Sequence, residues 1–446
     1  MPSSCSHSAE YTLIEHDLQQ LVERLTEPGF RSPPSVERQA RWLVLDTLGC
    51  AIAGGRSPTV RAWLEGQHLR TDPFATANPT PTGPSAGAAM AFAMAACWDE
   101  ACEGHARAHG RPGVAALAAI WPWVHQLNWG QLVRALVLGY EVGARMGALL
   151  RIAPGMHVDG NWPSLGSAAA AASALQLNAE QTLTAIHIAA CQLPTSLYRP
   201  IQTGDTARNT YLGHAAMLGQ MSAQAAAAGI SAPANAIENH LQVVYQKSAP
   251  EGWQGSENFE ILTGYFKPYA AVRHVHYGAH AALNLRPQFD LQALDRIDLW
   301  VYREALTYCG VRQPQTPLQA QFSLSFGLAA MLRWGRLDST VYASPEFEDE
   351  GVRQIEKKVT IHVDEDWTQK PWRRAKLQIT LVDGRVLENT CQAVMGDADM
   401  PWSEADLKQK FITNCQGSLS PARSLWLAEH VLHAPAHEPV FPFVTE

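Results

Sequence analysis

The sequence predicts a mainly α protein with an α+β part. Three observations predict it. A helical period rich in small residues recurs from Thr12 to the region of Lys267, a strand period replaces it until about residue 402, and a helical period returns at Ser403. The expected arrangement is a large all-helical domain over residues 1–268, completed by 403–446, with an α+β domain over 269–402 inserted between them. A chain of 446 residues has room for about two to four such units.

From Thr12 to Glu27, Leu13, Leu18, Leu21, Val22 and Leu25 fall on one helical face. After a proline pair, Ser35 can cap a helix running to Ile52, which Gly54-Gly55 can stop. GPSAGAAMAFAMAAC, GVAALAAIWPWVHQL, GQLVRALVLGYEVGARMGALL, PSLGSAAAAASALQL, AEQTLTAIHIAACQL and YLGHAAMLGQMSAQAAAAG follow. Several are apolar nearly all round, which predicts burial among other helices. Past Lys267, RIDLWVY, VTIHVDE and KLQITLVDGRVLENT alternate β-branched or aromatic residues with charged ones, as strands do. Asp383-Gly384 predicts a type I′ hairpin. One helix, LQAQFSLSFGLAAMLRWG, lies between the strands. In SEADLKQKFITNCQG, Ser403 and Asp406 stand as a capping box, and SLWLAEHVL continues the helical pattern.

Composition excludes several classes. The formal charge is −8 with no Lys/Arg run, so there is no nucleic-acid footprint. An acidic surface also means that an anionic substrate needs local cations, focused in a cleft. The eight cysteines form no CxxC pair and read as reduced thiols of a cytoplasmic protein. The N-terminus has no signal-peptide pattern, and no segment reaches membrane-span length.

Four polar clusters interrupt the apolar pattern. The first, WDEACEGHARAHGRPG, contains Asp99, Glu100, Glu103, His105, His109 and Arg111. Arg111 and the helix N-terminus that follows form a candidate anion site, although a solvated interhelix loop fits equally. His105 and His109 have zinc-ligand spacing, but HExxH is lacking, Gly110 to Gly113 would end a helix there, and a cation lies beside them, so no metal is expected. The second cluster places His157 ahead of a Gly-rich helix start; a surface loop histidine is the plain alternative. In the third, Arg208 sits at a helix start, where its charge is unfavourable unless an anion lies between it and the dipole; it can also extend into solvent. The fourth, FKPYAAVRHVHYGAH, gathers Lys267, Arg273, His274, His276 and His280 where the composition shifts, at a domain junction of the kind that forms clefts. P-loop, dinucleotide GxGxxG, GxSxG and HExxH signatures are missing.

In order and spacing these clusters resemble the motifs of the 2-methylcitrate dehydratase (MmgE/PrpD) family, which includes cis-aconitate decarboxylase and iminodisuccinate epimerase. Asp99 and His109 match its acidic segment and histidine, and His157 with Gly166-Ser167-Ala168 the next motif. Arg208 stands for a family lysine ahead of Gly213-His214-Ala215-Ala216. Lys267-Pro268-Tyr269 with Arg273 and His276 match KPYPxCR…H, and Gln321 to Phe326 match QFSLPY. The resemblance spans nearly the whole chain. It implies that the α+β domain is a lid with the active site beneath it, that no cofactor or metal takes part, and that the protein is a homodimer. Its implied partner is a small polycarboxylate, with no nucleic acid and no membrane.

The departures sharpen the expectation. Ala101 and Cys102 replace acidic residues, Arg208 replaces lysine, and Phe326 replaces tyrosine. Dehydration and decarboxylation both need a placed acid, and these changes remove candidate acids. A guanidinium grips a carboxylate but is no acid near neutral pH. A site of this kind resembles the iminodisuccinate epimerase branch of the family, which implies inversion of the α-carbon of iminodisuccinate, the alternative being a lyase for a tricarboxylate. His109, His157 and Lys267 are the candidate proton carriers, Asp99 would orient a histidine, and Arg208, Arg273, Arg111 and His276 would bind carboxylates.

Overall fold

The computed structural model describes residues 13–66, 86–248, 258–370, 373–397 and 399–440. The N-terminal signal reading, Thr12, Gly83 to Ser85, and the outermost ends of the expected domain ranges lie outside these residues. The fold is mainly α with an α+β part.

Helix α1 (Leu13–Thr26) buries Leu18, Leu21, Val22 and Leu25 as its period predicts, but Leu13 is exposed and Ile14 takes its place on the buried face. Helix α2 (Pro34–Gly54) starts one residue before Ser35: Pro33 is its N-cap and Pro34 stands in its first turn, with no side-chain cap. Proline suits that position because its missing N–H would have no helical partner. Next come α3 (Ala86–Cys97), α4 (Pro112–Ile120), α5 (Trp129–Leu149), α6 (Pro163–Ala174), α7 (Ala179–Ala190) and α8 (Tyr211–Ala227). Asn128 and Gln131 close a capping box on α5, and Asn178 and Gln181 close another on α7. Helices α5 and α6 approach so closely that a Cβ on Gly139 would stand 2.7 Å from Gly166 O, and one on Gly166 2.5 Å from Gly139 O. The glycine of the Gly166-Ser167-Ala168 motif therefore serves packing.

The second part is built on α9 (Arg273–Leu285), α10 (Leu324–Trp334) and a four-stranded sheet of β1 (Leu294–Val301), β2 (Val359–Val363), β3 (Ala375–Leu381) and β4 (Val386–Cys391). The strand order is β2-β1-β3-β4. Strands β1 and β2 run parallel, with Ile297 opposite Val359, while β1–β3 and β3–β4 are antiparallel. β3 alternates buried and half-buried residues, as expected for a sheet with α9 on one face.

Two local expectations are corrected. The helix around Leu318 is two: Pro317–Gln321 ends before Ser323, whose hydroxyl accepts the Phe326 N–H and starts α10 anew. The β3–β4 hairpin is not type I′, because only Gly384 has positive φ. Its N–H closes a turn onto Leu381 O (2.9 Å), and the Asp383 carboxylate accepts the Arg385 N–H (3.0 Å).

Helix α11 (Glu404–Cys415) carries the Ser403–Asp406 capping box, and it and α12 (Pro421–His433) pack against α2. One hydrophobic core thus spans Ile14 to Phe266 and resumes from Leu407 to Val440, while a second spans Ala270 to Val394. Among the described residues no helix is long and apolar enough to cross a membrane.

Candidate active site

A cavity of about 310 Å³ lies where the two cores meet, walled by residues from Glu100 to Lys267 on one side and from Val272 to Arg373 on the other. Its wall carries six cationic side chains, Arg111, Arg151, Arg208, Lys267, Arg273 and Arg373, against four carboxyl groups, Glu100, Glu103, Asp159 and Glu304. This local excess of positive charge stands inside a chain of formal charge −8.

The helical wall is organised by Glu100, which follows α3 with φ of 53°. Lys267 Nζ donates to its Oε1 (2.6 Å) and its backbone oxygen (3.0 Å). Arg111 Nη1 donates to Oε2 (2.8 Å), and Arg208 Nη2 donates to the same oxygen. Burial alone would raise the Glu100 pKa, but Arg111, Arg208 and Lys267 together hold it well below the usual carboxylate range. Asp159 accepts from Arg111 Nη2 and lies 3.8 Å from Arg208. The anion required by a cation at the start of α8 is thus supplied by the protein itself. Arg111 and Arg208, expected to grip substrate, are engaged by internal carboxylates, because a buried guanidinium without a partner is costly.

The start of α4 is filled as well. Glu103 Oε1 accepts the N–H groups of Gly113 (2.9 Å) and Val114 (3.2 Å), and burial pushes its carboxyl well above the usual range.

His157 pairs with Ser196 in a short β-ladder and lines the cavity. Its Nδ1 accepts the Asp159 N–H (3.2 Å), so the proton of the neutral ring sits on Nε2. Burial pushes its pKa down to about 4, with Asp159 opposing. This imidazole is a hydrogen-bond donor rather than a base. Lys267, with two donors committed to Glu100, is a structural cation of the wall. His157 and Lys267 are thus both held by the protein's own polar groups.

His109 adopts φ of 58° and reaches the cavity with Nδ1 3.6 Å from Glu304 Oε1. His109 beside it holds the Glu304 carboxyl down at about 2, with burial opposing and His274 and Arg373 adding to the effect. Glu304 stands on the helix Arg303–Cys309 and faces His109, whereas Asp99 was the carboxylate expected to face a histidine. Asp99 is not part of the cavity wall; burial raises its carboxyl to about 6, with Arg56 opposing and Asp338 adding. The chain turns at Glu100, so the wall receives Glu100 and not its neighbour.

His276 is also corrected. It is fully buried outside the cavity wall, with its Nε2–H donating to Ala271 O (2.9 Å) and Nδ1 accepting from Arg273 Nη1 (3.2 Å). It braces Arg273, which also donates to Asp397 and lies over the Tyr265 ring. His274, two positions earlier, is the histidine of α9 that lines the cavity; it hydrogen-bonds Tyr302 Oη, and burial pushes its pKa to about 3. His105 points away from His109, toward Thr263 (2.9 Å) and Glu260 (3.3 Å), and among the described residues no group of three or more His, Cys, Asp or Glu could hold a metal ion.

The sequence reading passes over Glu304, Tyr308, Asp159 and Arg373. One signal was present: Glu304 and Tyr308 are four apart, hence on one face of the helix Arg303–Cys309, and both line the cavity. Phe326 lies outside the cavity wall. That ring is buried in the second core against Tyr342, and the cavity wall keeps three phenols, Tyr198, Tyr265 and Tyr308.

Comparison with known proteins gives two domain matches and one relative. Residues 19–254 match the MmgE/PrpD N-terminal domain and residues 269–434 the MmgE/PrpD C-terminal domain. The chain is 24% identical over 326 residues to cis-aconitate decarboxylase of Mus musculus. That similarity covers 69% of this chain and 66% of the relative, just under two thirds of its length.

Proposed function

The chain belongs to the MmgE/PrpD family, and from that premise we propose that it is a cofactor-independent enzyme moving a proton on a carbon beside a carboxylate of a small polycarboxylate. The observation that carries this reading is the excess of cations around the His109–Glu304 pair in a cavity between two cores. The specific reaction proposed is inversion of the α-carbon of iminodisuccinate.

Glu304 faces Nδ1 of His109, which leaves Nε2 for the substrate. In the first step the α C–H bond breaks, the proton goes to His109 Nε2, and the electron pair moves into the adjacent carboxylate as an enediolate. The Nε2–H of His157 and the cations of the wall stabilise that charge without having to reorganise. Tyr308 then gives its phenolic proton to the opposite face of the carbon, forming the new C–H bond. Burial and Glu304 raise its pKa, so its resting form is the proton donor. The phenolate regains a proton from solvent as His109 releases one.

A second reading is favoured by one observation: His109 is the sole expected carrier left available. A lyase needs only one carrier on one face. His109 would take the α-proton, the neighbouring C–O bond would break, and the departing hydroxide would leave as water with that proton. Incubation with single stereoisomers of iminodisuccinate, and separately with 2-methylcitrate, decides between them. Chiral separation showing the opposite stereoisomer at unchanged mass supports the epimerase. A rise in ultraviolet absorbance from a new conjugated double bond supports the lyase. Unchanged substrates in both arms overturn the proposal.

A further inference from the structure

The cations of the cavity wall are not equivalent. Arg111, Arg208 and Lys267 hold Glu100, with Asp159 shared between the two arginines, and Arg273 holds Asp397. Arg151 is exposed at the rim, where water solvates it. Arg373 is different: it is half-buried, lines the cavity, and among the described residues forms no hydrogen bond or ion pair. It precedes β3, and its charge lies among Tyr302, Tyr265, Tyr277 and Glu304. Glu304 is the carboxylate already facing His109.

A guanidinium stays charged at any pH the protein meets, and withdrawing it from water without a partner is unfavourable. The other five cations of this wall are paired or solvated. We infer that Arg373 is the substrate-recognition residue, taking one carboxylate of the polycarboxylate through two parallel N–H···O bonds and so placing the adjacent carbon beside His109. The inference rests on the polycarboxylate reading above and adds its anchor. Arg373 comes from the second core and His109 from the loop before α4, so a bound substrate bridges the two walls. Planar, two-point recognition of a carboxylate is what a guanidinium provides and an ammonium does not.

The test uses the inert tricarboxylate tricarballylate, with calorimetric binding to the full-length wild type, Arg373→Gln and Arg373→Lys, and melting of each without ligand. The expected result is wild-type binding that weakens at least tenfold in Arg373→Gln and partly recovers in Arg373→Lys. The unliganded Arg373→Gln protein should melt no lower than wild type, because an unpaired cation has been removed. Unchanged affinity in Arg373→Gln overturns the assignment and leaves the polycarboxylate reading standing. A lower melting point with weakened binding that Lys does not restore also overturns it, since the residue would then be structural. Failure of the wild type to bind tricarballylate removes the polycarboxylate reading, and this inference with it.

Discussion

The two walls of the cavity differ in how their charges are answered. On the helical wall, Arg111, Arg208 and Lys267 converge on Glu100, and Arg111 also reaches Asp159. On the opposite wall, Arg373 has no carboxylate in contact among the described residues, and Glu304 faces a half-exposed histidine across the junction. Charges that neutralise one another inside a protein fix its geometry. Charges left with an open side are available to a ligand. The difference sets an internally neutralised cluster around Glu100 apart from a His109–Glu304 pair that spans the junction and an Arg373 that is left open.

The strongest way to break that comparison is at Glu100. Glu100→Gln leaves three buried cations short of a negative charge, and the expected loss of stability is about 3–5 kcal/mol. Urea denaturation measures it, and a loss near zero would mean that the network is not the scaffold.

Acid titration gives the next largest effect. The folded-state pKa of His157 is depressed from 6.5 to about 4, so the unfolded chain binds its proton first. Its contribution is present above pH 6.5 and is lost as pH falls toward 4, by about 3 kcal/mol over the window. His274, at about 3, acts in the same direction. Asp99, raised to about 6, acts oppositely: it favours the fold as pH falls from 6 toward 3.8. Denaturation midpoints at pH 7 and pH 5 should therefore differ less in His157→Gln than in wild type.

A smaller effect is expected at Glu304. Glu304→Gln keeps the shape but removes the charge beside His109, and kcat should fall at least about tenfold, or about 1.4 kcal/mol in the barrier. Stability should fall by less than at Glu100, because the carboxylate is partly exposed and solvent screens its pairing. A steady-state assay with whichever of the two proposed substrates the wild type turns over measures it.

Much of this was legible in the sequence, and what was not has a physical cause. The periods of α1 and β3 announced themselves because burial repeats there at 3.6 or 2 residues. His109, His157, Arg208, Lys267 and Arg273 were visible as polar residues in apolar surroundings. Choices between near neighbours were not. Asp99 and Glu100 are adjacent, and only the left-handed turn at Glu100 decides which enters the wall. His274 and His276 lie about 200° apart around α9, and the packing of that helix on the sheet decides between them. Pairing across the junction left no local trace: Glu304 stands 195 residues after His109, and Arg373 lies in a short segment with no motif around it.

In the proposed reaction His109, held by Glu304, carries the proton between solvent and the substrate's carbon. Deuterium entering that carbon in D₂O, followed by NMR with wild type and His109→Asn, tests it most directly. Label should enter at the carbon with wild type, and the rate should fall by about 10²–10⁴-fold in His109→Asn at unchanged melting temperature. Entry of deuterium at the wild-type rate in His109→Asn, or wild-type turnover with no deuterium at that carbon, would contradict the account.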